Sequence, residues 1–297
     1  MVTRRLAPLR AAGVTTVAAA VVGAAALIVS GCAGVRGGDD PGGGNAAGGN
    51  TGTGNANGNG NGKGGGSGGQ GVDPGQGTDV CGQEVLATIR DFRGFTVDPN
   101  LPRHPDFEYN VGALTGIVKA KLGADQKPVY APPGPTSSTN GADYFNQWYR
   151  DVDGVNIRFD KVSIPLSADP NRQGVYLYDN DFYFPIDNQG WGNQYQGHNY
   201  DFTTEIHFNF PYHGGEVFTF RGDDDVWVFV NGNLAIDLGG VHEAETGSVN
   251  LDQMASALGI TAGKSYRMDI FQAERHVIGS TFHIETTLAC IDNVIVP

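Results

Sequence analysis

From residue 80 onward the sequence predicts an all-β domain, a β-sandwich or barrel of short strands with one short helix. Three observations carry this. Apolar and polar residues alternate over successive stretches, as in 204-TEIHFNF-210, where Ile206, Phe208 and Phe210 share one strand face. Gly, Asn and Asp punctuate these stretches, and Asn231-Gly232 is a strong signal for a two-residue hairpin turn. Helical spacing occurs in one segment alone. Short strands with such turns and little helix are the pattern of sandwiches and barrels.

The elements follow in order. Val217-Phe218-Thr219-Phe220 and Trp227-Val228-Phe229-Val230 read as strands, and the Asn231-Gly232 turn leads into another through Leu234-Ala235-Ile236. In 250-NLDQMASALG-259, Leu251, Met254 and Leu258 fall on one side of a helix, with Asn250 as its cap and Gly259 as its stop. The segments 266-YRMDIF-271 and 281-TFHIETTL-288 alternate again. From Cys81 the remaining 217 residues suffice to bury one sizeable core, so residues 80–297 are read as a single domain.

Two segments of different character precede it. Residues 1–31 carry Arg4, Arg5 and Arg10 and then the apolar run 11-AAGVTTVAAAVVGAAALIVS-30, an export signal. Its length would also suit a membrane span, which takes ~20 apolar residues. The Ala-rich composition and small-residue exit favour a cleaved signal. The tetrapeptide Val29-Ser30-Gly31-Cys32 resembles a bacterial lipoprotein lipobox, which implies diacylglycerol on the Cys32 thiol and an exported protein lipid-anchored to the cell envelope or cell surface. The alternative is a plain signal with an incidental cysteine. Residues 32–79 are Gly- and Asn-rich with almost nothing to bury. They read as a disordered tether whose typical span is about 40 Å.

Three cysteines is an awkward number for an exported chain. With Cys32 taken by lipid, Cys81 and Cys290 remain at the two edges of the domain. In an oxidising compartment they are expected to form a disulfide, the alternative being two unpaired thiols.

The formal charge is −13, and without the first 31 residues it is −16, from 16 basic and 32 acidic residues. Such a surface repels nucleic acid and leaves neutral sugars and divalent cations as partners. Against this background, Asp223, Asp224 and Asp225 stand side by side between two apolar strands. Adjacent carboxylates repel, and none gains from entering a core. Either they splay onto a solvated loop or a positive group sits among them.

Longer motifs extend this reading. They are 89-IRDFRG-94 with 104-HPDFE-108, 145-FNQWYRDVDGVN-156, 182-FYFPIDNQGWG-192, 198-HNYDFTTEIHFNFPY-212, 220-FRGDDDVWVFVNGNLAIDLGGVH-242 and 274-ERH-276. In this order, over most of residues 84–290, they resemble the fibro-slime family, a relative of the PA14 β-barrel. In sugar-binding PA14 adhesins two leading acids are joined by a cis peptide and hold Ca²⁺, which bridges to saccharide hydroxyls. By position those acids are Asp223 and Asp224, while Asp225 stands where PA14 domains usually have Gly. The resemblance thus implies a ligand- or metal-binding set of Asp223, Asp224, Asp225, Asn231, His242 and Glu274.

The second ion loop falls at 272-QAERHVIGS-280, where Glu274, Arg275 and His276 replace the expected Asn-bearing loop. Two readings stand. Glu274 supplies an oxygen to Ca²⁺, which takes 6–8 of them, or Arg275 neutralises the Asp cluster directly in a buried network.

Other signals are weaker. Arg221-Gly222-Asp223 matches an integrin motif beside a strand, as three residues often do by chance. His242-Glu243 does not continue into HExxH, because residue 246 is Thr. Trp148, Tyr149, Trp191 and Tyr195 suit either sugar stacking or core, with core favoured for the two tryptophans. A glycosidase needs two opposed carboxylates across a cleft, and no motif indicates them. The expected function is therefore binding, not catalysis, with a polysaccharide or cell-surface glycan recognised in adhesion. A structural envelope or matrix component is the runner-up, and a glycoside hydrolase is third.

Overall fold

The computed structural model describes residues 83–94, 100–107 and 111–297. The signal segment, the whole tether of residues 32–79 with its Cys32, and Cys81 lie outside the described residues. Among these, the chain forms β1 (Glu84–Phe92), β2 (Gly112–Ala113), α1 (Ala142–Phe145), β3 (Asn156–Pro165), β4 (Ser167–Ala168), β5 (Tyr176–Asn180) and β6 (Phe202–Tyr212). It continues with β7 (Val217–Gly222), β8 (Asp225–Val230), β9 (Asn233–Leu238), β10 (Gly240–Val241), β11 (Glu245–Asn250), α2 (Leu251–Leu258), β12 (Lys264–Glu274), β13 (Phe282–Thr286) and β14 (Asp292–Asn293).

One sheet runs β3-β1-β6-β12-β8-β9, with β14 added to β6, and a second runs β11-β7-β13-β5-β4. The pairings within both are antiparallel. Both sheets keep open edges, so the domain is a sandwich and not a closed barrel.

β8 shows how the layers stack. Val226, Val228 and Val230 join a core that includes Phe218 and Phe220 of β7 and Phe282 and Ile284 of β13. Trp227 and Phe229 point to the other face, where they meet Phe145, Trp148, Tyr149 and Phe271. Strand side chains alternate between faces, so the larger sheet is covered twice. The second sheet covers one side and the irregular segment around residues 107–149 covers the other. Two-sided burial accounts for the unbroken apolar run that β8 presents in sequence. It also settles Trp148 and Tyr149 as core, both at 0% exposure. Trp191 is half-buried beneath Arg93, whose guanidinium carbon lies 3.8 Å from the ring centroid, and Tyr195 is exposed.

The predicted helix is present with its caps. The Asn250 side chain accepts from the Gln253 N–H at 3.1 Å, and Gly259 ends the helix at φ 67°. In the β8–β9 turn, Asn231 and Gly232 both take positive φ, at 52° and 72°. That is the type I′ geometry the dipeptide encodes.

Candidate functional site

β7 ends at Gly222 and β8 begins at Asp225, so Asp223 and Asp224 are the entire connection between the two sheets at this point. The peptide bond between them is cis. Gly222 permits the approach. A Cβ there would lie 2.7 Å from the Thr281 carbonyl oxygen and 2.6 Å from the Phe220 ring. The three acids are 5%, 3% and 0% exposed, which overturns the solvated-loop alternative.

Each acid has different company. Asp225 is the counterion of Arg275, whose Nε and Nη2 lie 2.7 and 2.6 Å from its Oδ2. Its Oδ1 accepts from the Gly240 N–H at 2.6 Å. The remaining Arg275 donors go elsewhere. Nη1 donates to the carbonyls of Asp106 (2.8 Å) and Ser138 (3.0 Å), and Nη2 to Ser138 Oγ (2.9 Å). The guanidinium also lies 4.6 Å over the Trp148 ring. One carboxylate has therefore claimed the Arg275 side chain, and the buried network accounts for Asp225 only.

Asp223 and Asp224 lack such a partner. Asp223 Oδ1 accepts from the Thr281 N–H at 2.5 Å, and Asp224 Oδ2 from the Arg275 main-chain N–H at 2.9 Å. Burial pushes both acids upward, Asp224 well above the usual carboxylate range because Arg275 offsets burial only in part. Glu274, the last residue of β12, is buried, and its Oε2 has no hydrogen-bond partner among the described residues. Burial and then repulsion from Asp224 and Asp223 raise it well above its ordinary value. The corner thus gathers four carboxylates around one guanidinium.

Beside Asp224 a cavity of about 160 Å³ opens, bordered by His242, Glu243, His276 and Val241, with Val111 and Ile278 at its mouth. Val111 and Ile278 are 68% and 76% exposed. The His242 ring nitrogens approach the carbonyls of Glu243 (2.8 Å) and Leu238 (3.2 Å).

Five of the six predicted site residues, Asp223, Asp224, Asp225, His242 and Glu274, meet at this corner. Asn231 does not. It sits in the turn at the opposite end of β8, its Nδ2 donating to the Leu258 carbonyl at 3.0 Å. Asp106, Ser138 and Thr281 escaped sequence reasoning, because each contributes through long-range approach. Asp106 lay in a quoted motif and Thr281 opened an alternating stretch, while Ser138 lay in neither.

The donor chemistry fits a hard divalent cation. Carboxylate oxygens are what Ca²⁺ takes, and the orphaned Glu274 Oε2 with two raised neighbours is a local deficit of positive charge. Among the described residues no three His, Cys, Asp or Glu side chains are already gathered as a metal cage.

An antiparallel β-sandwich with an acidic cis-peptide corner between its sheets defines the class. Residues 170–294 match the PA14 domain family. It is 42% identical over 212 residues to Protein psiD of Dictyostelium discoideum, a match covering 65% of this chain and 40% of that protein. Protein psiR of the same organism is 40% identical over 203 residues, 63% of this chain and 20% of its own length. The chain therefore spans two-fifths or less of these two relatives. Among solved structures it resembles a PA14 sugar-binding domain from an RTX adhesin, at TM-score 0.32 and 10% identity, over 71% of this chain and 96% of that one. Both relatives come from a slime mould, so they lend no support to a bacterial source.

Proposed function

We propose that the domain binds a saccharide at the Asp223–Asp224 corner, with Ca²⁺ held by Asp223, Asp224 and Glu274 bridging to sugar hydroxyls. One observation carries the reading. Three buried carboxylates share a corner where the one guanidinium among the described residues is engaged by Asp225, beside a cavity that reaches solvent. A divalent ion would relieve the repulsion and present open coordination positions toward His242 and His276. The name of the RTX adhesin domain, which speaks of sugar binding, agrees with this reading. Binding in adhesion or cell contact is thus favoured over catalysis.

The test is a glycan and polysaccharide array probed with the full chain, in calcium and in chelator. Calcium-dependent binding that Asp224→Asn abolishes supports the proposal. Saccharide binding indifferent to chelator moves the site elsewhere. No binding at all favours the structural envelope or matrix role, for which the Arg275–Asp225 pair speaks.

Attachment through lipid on Cys32 belongs to the same proposal, motivated by Val29-Ser30-Gly31-Cys32. Metabolic labelling with a tagged fatty acid is expected to mark the wild-type chain and not Cys32→Ala. A single acyl chain holds a membrane only marginally, so durable anchoring needs two or more.

A further inference from the structure

The end of β8 remote from the acids carries a second, larger pocket, of about 480 Å³. This lies within the 300–1,000 Å³ typical of small-molecule sites. Its polar lining is Lys121, Gln126, Asn209, Asn231, Asn233 and Arg267. Among the described residues no carboxylate lines it, on a chain whose formal charge is −13. Arg267 and Glu274 are seven residues apart on β12, so the two sites are separated by roughly 23 Å at about 3.3 Å per residue.

Main-chain bonds build the walls. The segment bearing Lys121 is clamped to the β8–β9 hairpin, Leu122 N–H donating to the Gly232 carbonyl (3.1 Å) and Leu234 N–H to that of Ala120 (2.9 Å). The Asn231 N–H donates to the Arg267 carbonyl at 2.9 Å, and Arg267 is paired in register with Asn209 on β6. A pocket fixed in this way costs little to order when a ligand arrives.

The side chains leave specific valences open. Lys121 is exposed, and its ammonium has no hydrogen bond or ion pair among the described residues. Arg267 directs Nε to Asp269 at 2.7 Å and Nη2 to Gln126, which leaves Nη1 unengaged among the described residues. Asp269 Oδ1 also faces the His207 Nδ1 at 2.6 Å, so this carboxylate is not given to Arg267 alone. Asn231 and Asn233 each give Nδ2 to the Leu258 carbonyl, at 3.0 and 3.1 Å, leaving both Oδ1 atoms as open acceptors.

Two cationic donors beside two amide acceptors call for a ligand with an anionic group and hydroxyl donors on one small frame. A bare sulfate or phosphate would satisfy the cations and leave the amide oxygens unmet. A neutral sugar would do the reverse. We propose that this pocket binds an acidic saccharide, its uronate carboxylate on Lys121 and Arg267 and its ring hydroxyls on Asn231 and Asn233.

The experiment is a calorimetric titration of the full chain with trigalacturonate and with its methyl ester, in chelator throughout so that the Asp223–Asp224 corner takes no part. The acid is expected to bind at least tenfold tighter than the ester. Lys121→Glu and Asn233→Asp, each adding a carboxylate at the pocket, are expected to weaken it at least tenfold, the exposed Lys121→Glu with unchanged melting temperature and Asn233→Asp with a lower one, since it loses the Nδ2 bonds to the Asn231 and Leu258 carbonyls. Lys121→Arg should retain it, and Asp224→Asn should leave it untouched. Equal affinity for acid and ester, absence of binding, or indifference to both Lys121→Glu and Asn233→Asp would overturn the assignment. So would displacement by acetate at the saccharide's own concentration, which would mark a plain anion site.

Discussion

The Arg275 guanidinium lies 2.6 Å from Asp225 Oδ2, with both side chains at 0% exposure. That contact divides the acidic corner into a neutralised half and an uncompensated half. Asp225 belongs to the architecture, joining β8 to the Ser138 and Asp106 carbonyls through Arg275. Asp223, Asp224 and Glu274 have no ion pair among the described residues.

Breaking the pair by Arg275→Ala or Asp225→Ala is expected to destabilise by about 3–5 kcal/mol, because either change leaves a buried charge alone. Arg275→Lys should not restore the loss, since an ammonium cannot reproduce the fork to Asp225, Ser138 and Asp106. Denaturant unfolding of the single and double variants measures this. The double variant should lose less than the two singles together.

Calcium is expected to raise the melting temperature of the wild type, by the equivalent of about 2.7 kcal/mol at a hundredfold excess over Kd. Asp224→Asn and Glu274→Gln should abolish the response. In chelator each should be at least as stable as the wild type, since a neutral amide escapes the cost of burying a carboxyl group among other carboxylates. A melting temperature blind to calcium and chelator would remove the cation from the proposal.

Burial raises Asp91 to about 7, against lowering hydrogen bonds from the Trp191 N–H (2.5 Å) and Asn199 Nδ2 (2.8 Å). An unfolded Asp releases its proton near ~3.9. The folded chain therefore binds the proton more tightly, and this contribution is full below ~3.9 and lost as pH rises through about 7. The unfolding free energy of the wild type relative to Asp91→Asn is expected to fall between pH 4 and 8. A difference constant across that range would refute it.

Cys290 is disulfide-bonded. Peptide mapping of the unreduced chain is expected to join it to Cys81, and reduction should cost about 2–5 kcal/mol of stability. A Cys290 peptide linked to Cys32 would refute the pairing.

Much of the fold was legible locally. The alternation of Ile206, Phe208 and Phe210, the Asn231-Gly232 turn and the Asn250 and Gly259 caps each state their element within ten residues. β1 was harder, because Arg90 and Asp91 look like solvent-facing charges. Arg90 is in fact buried, its Nη1 2.6 Å from Glu205 Oε2. Glu205 and His207 alternate with the apolar residues of β6 and are likewise buried, 2.6 Å apart, with Lys127 paired to Glu205. A charged residue buried with its partner has the same local pattern as an exposed one.

The sequence by itself determined an all-β domain, one capped helix and a run of acids at a strand junction. All three follow from neighbours along the chain, where propensity and periodicity act. Tertiary structure decided which acid has a counterion. Arg275 lies 50 residues beyond Asp225 and reaches it because Ala273 and Asp225 are register partners in the β12–β8 ladder. The same strands carry Asn231 away from the acids it was grouped with, since β8 runs its full length between them. Charge compensation acts through space, and only the register of distant strands fixes which charges meet.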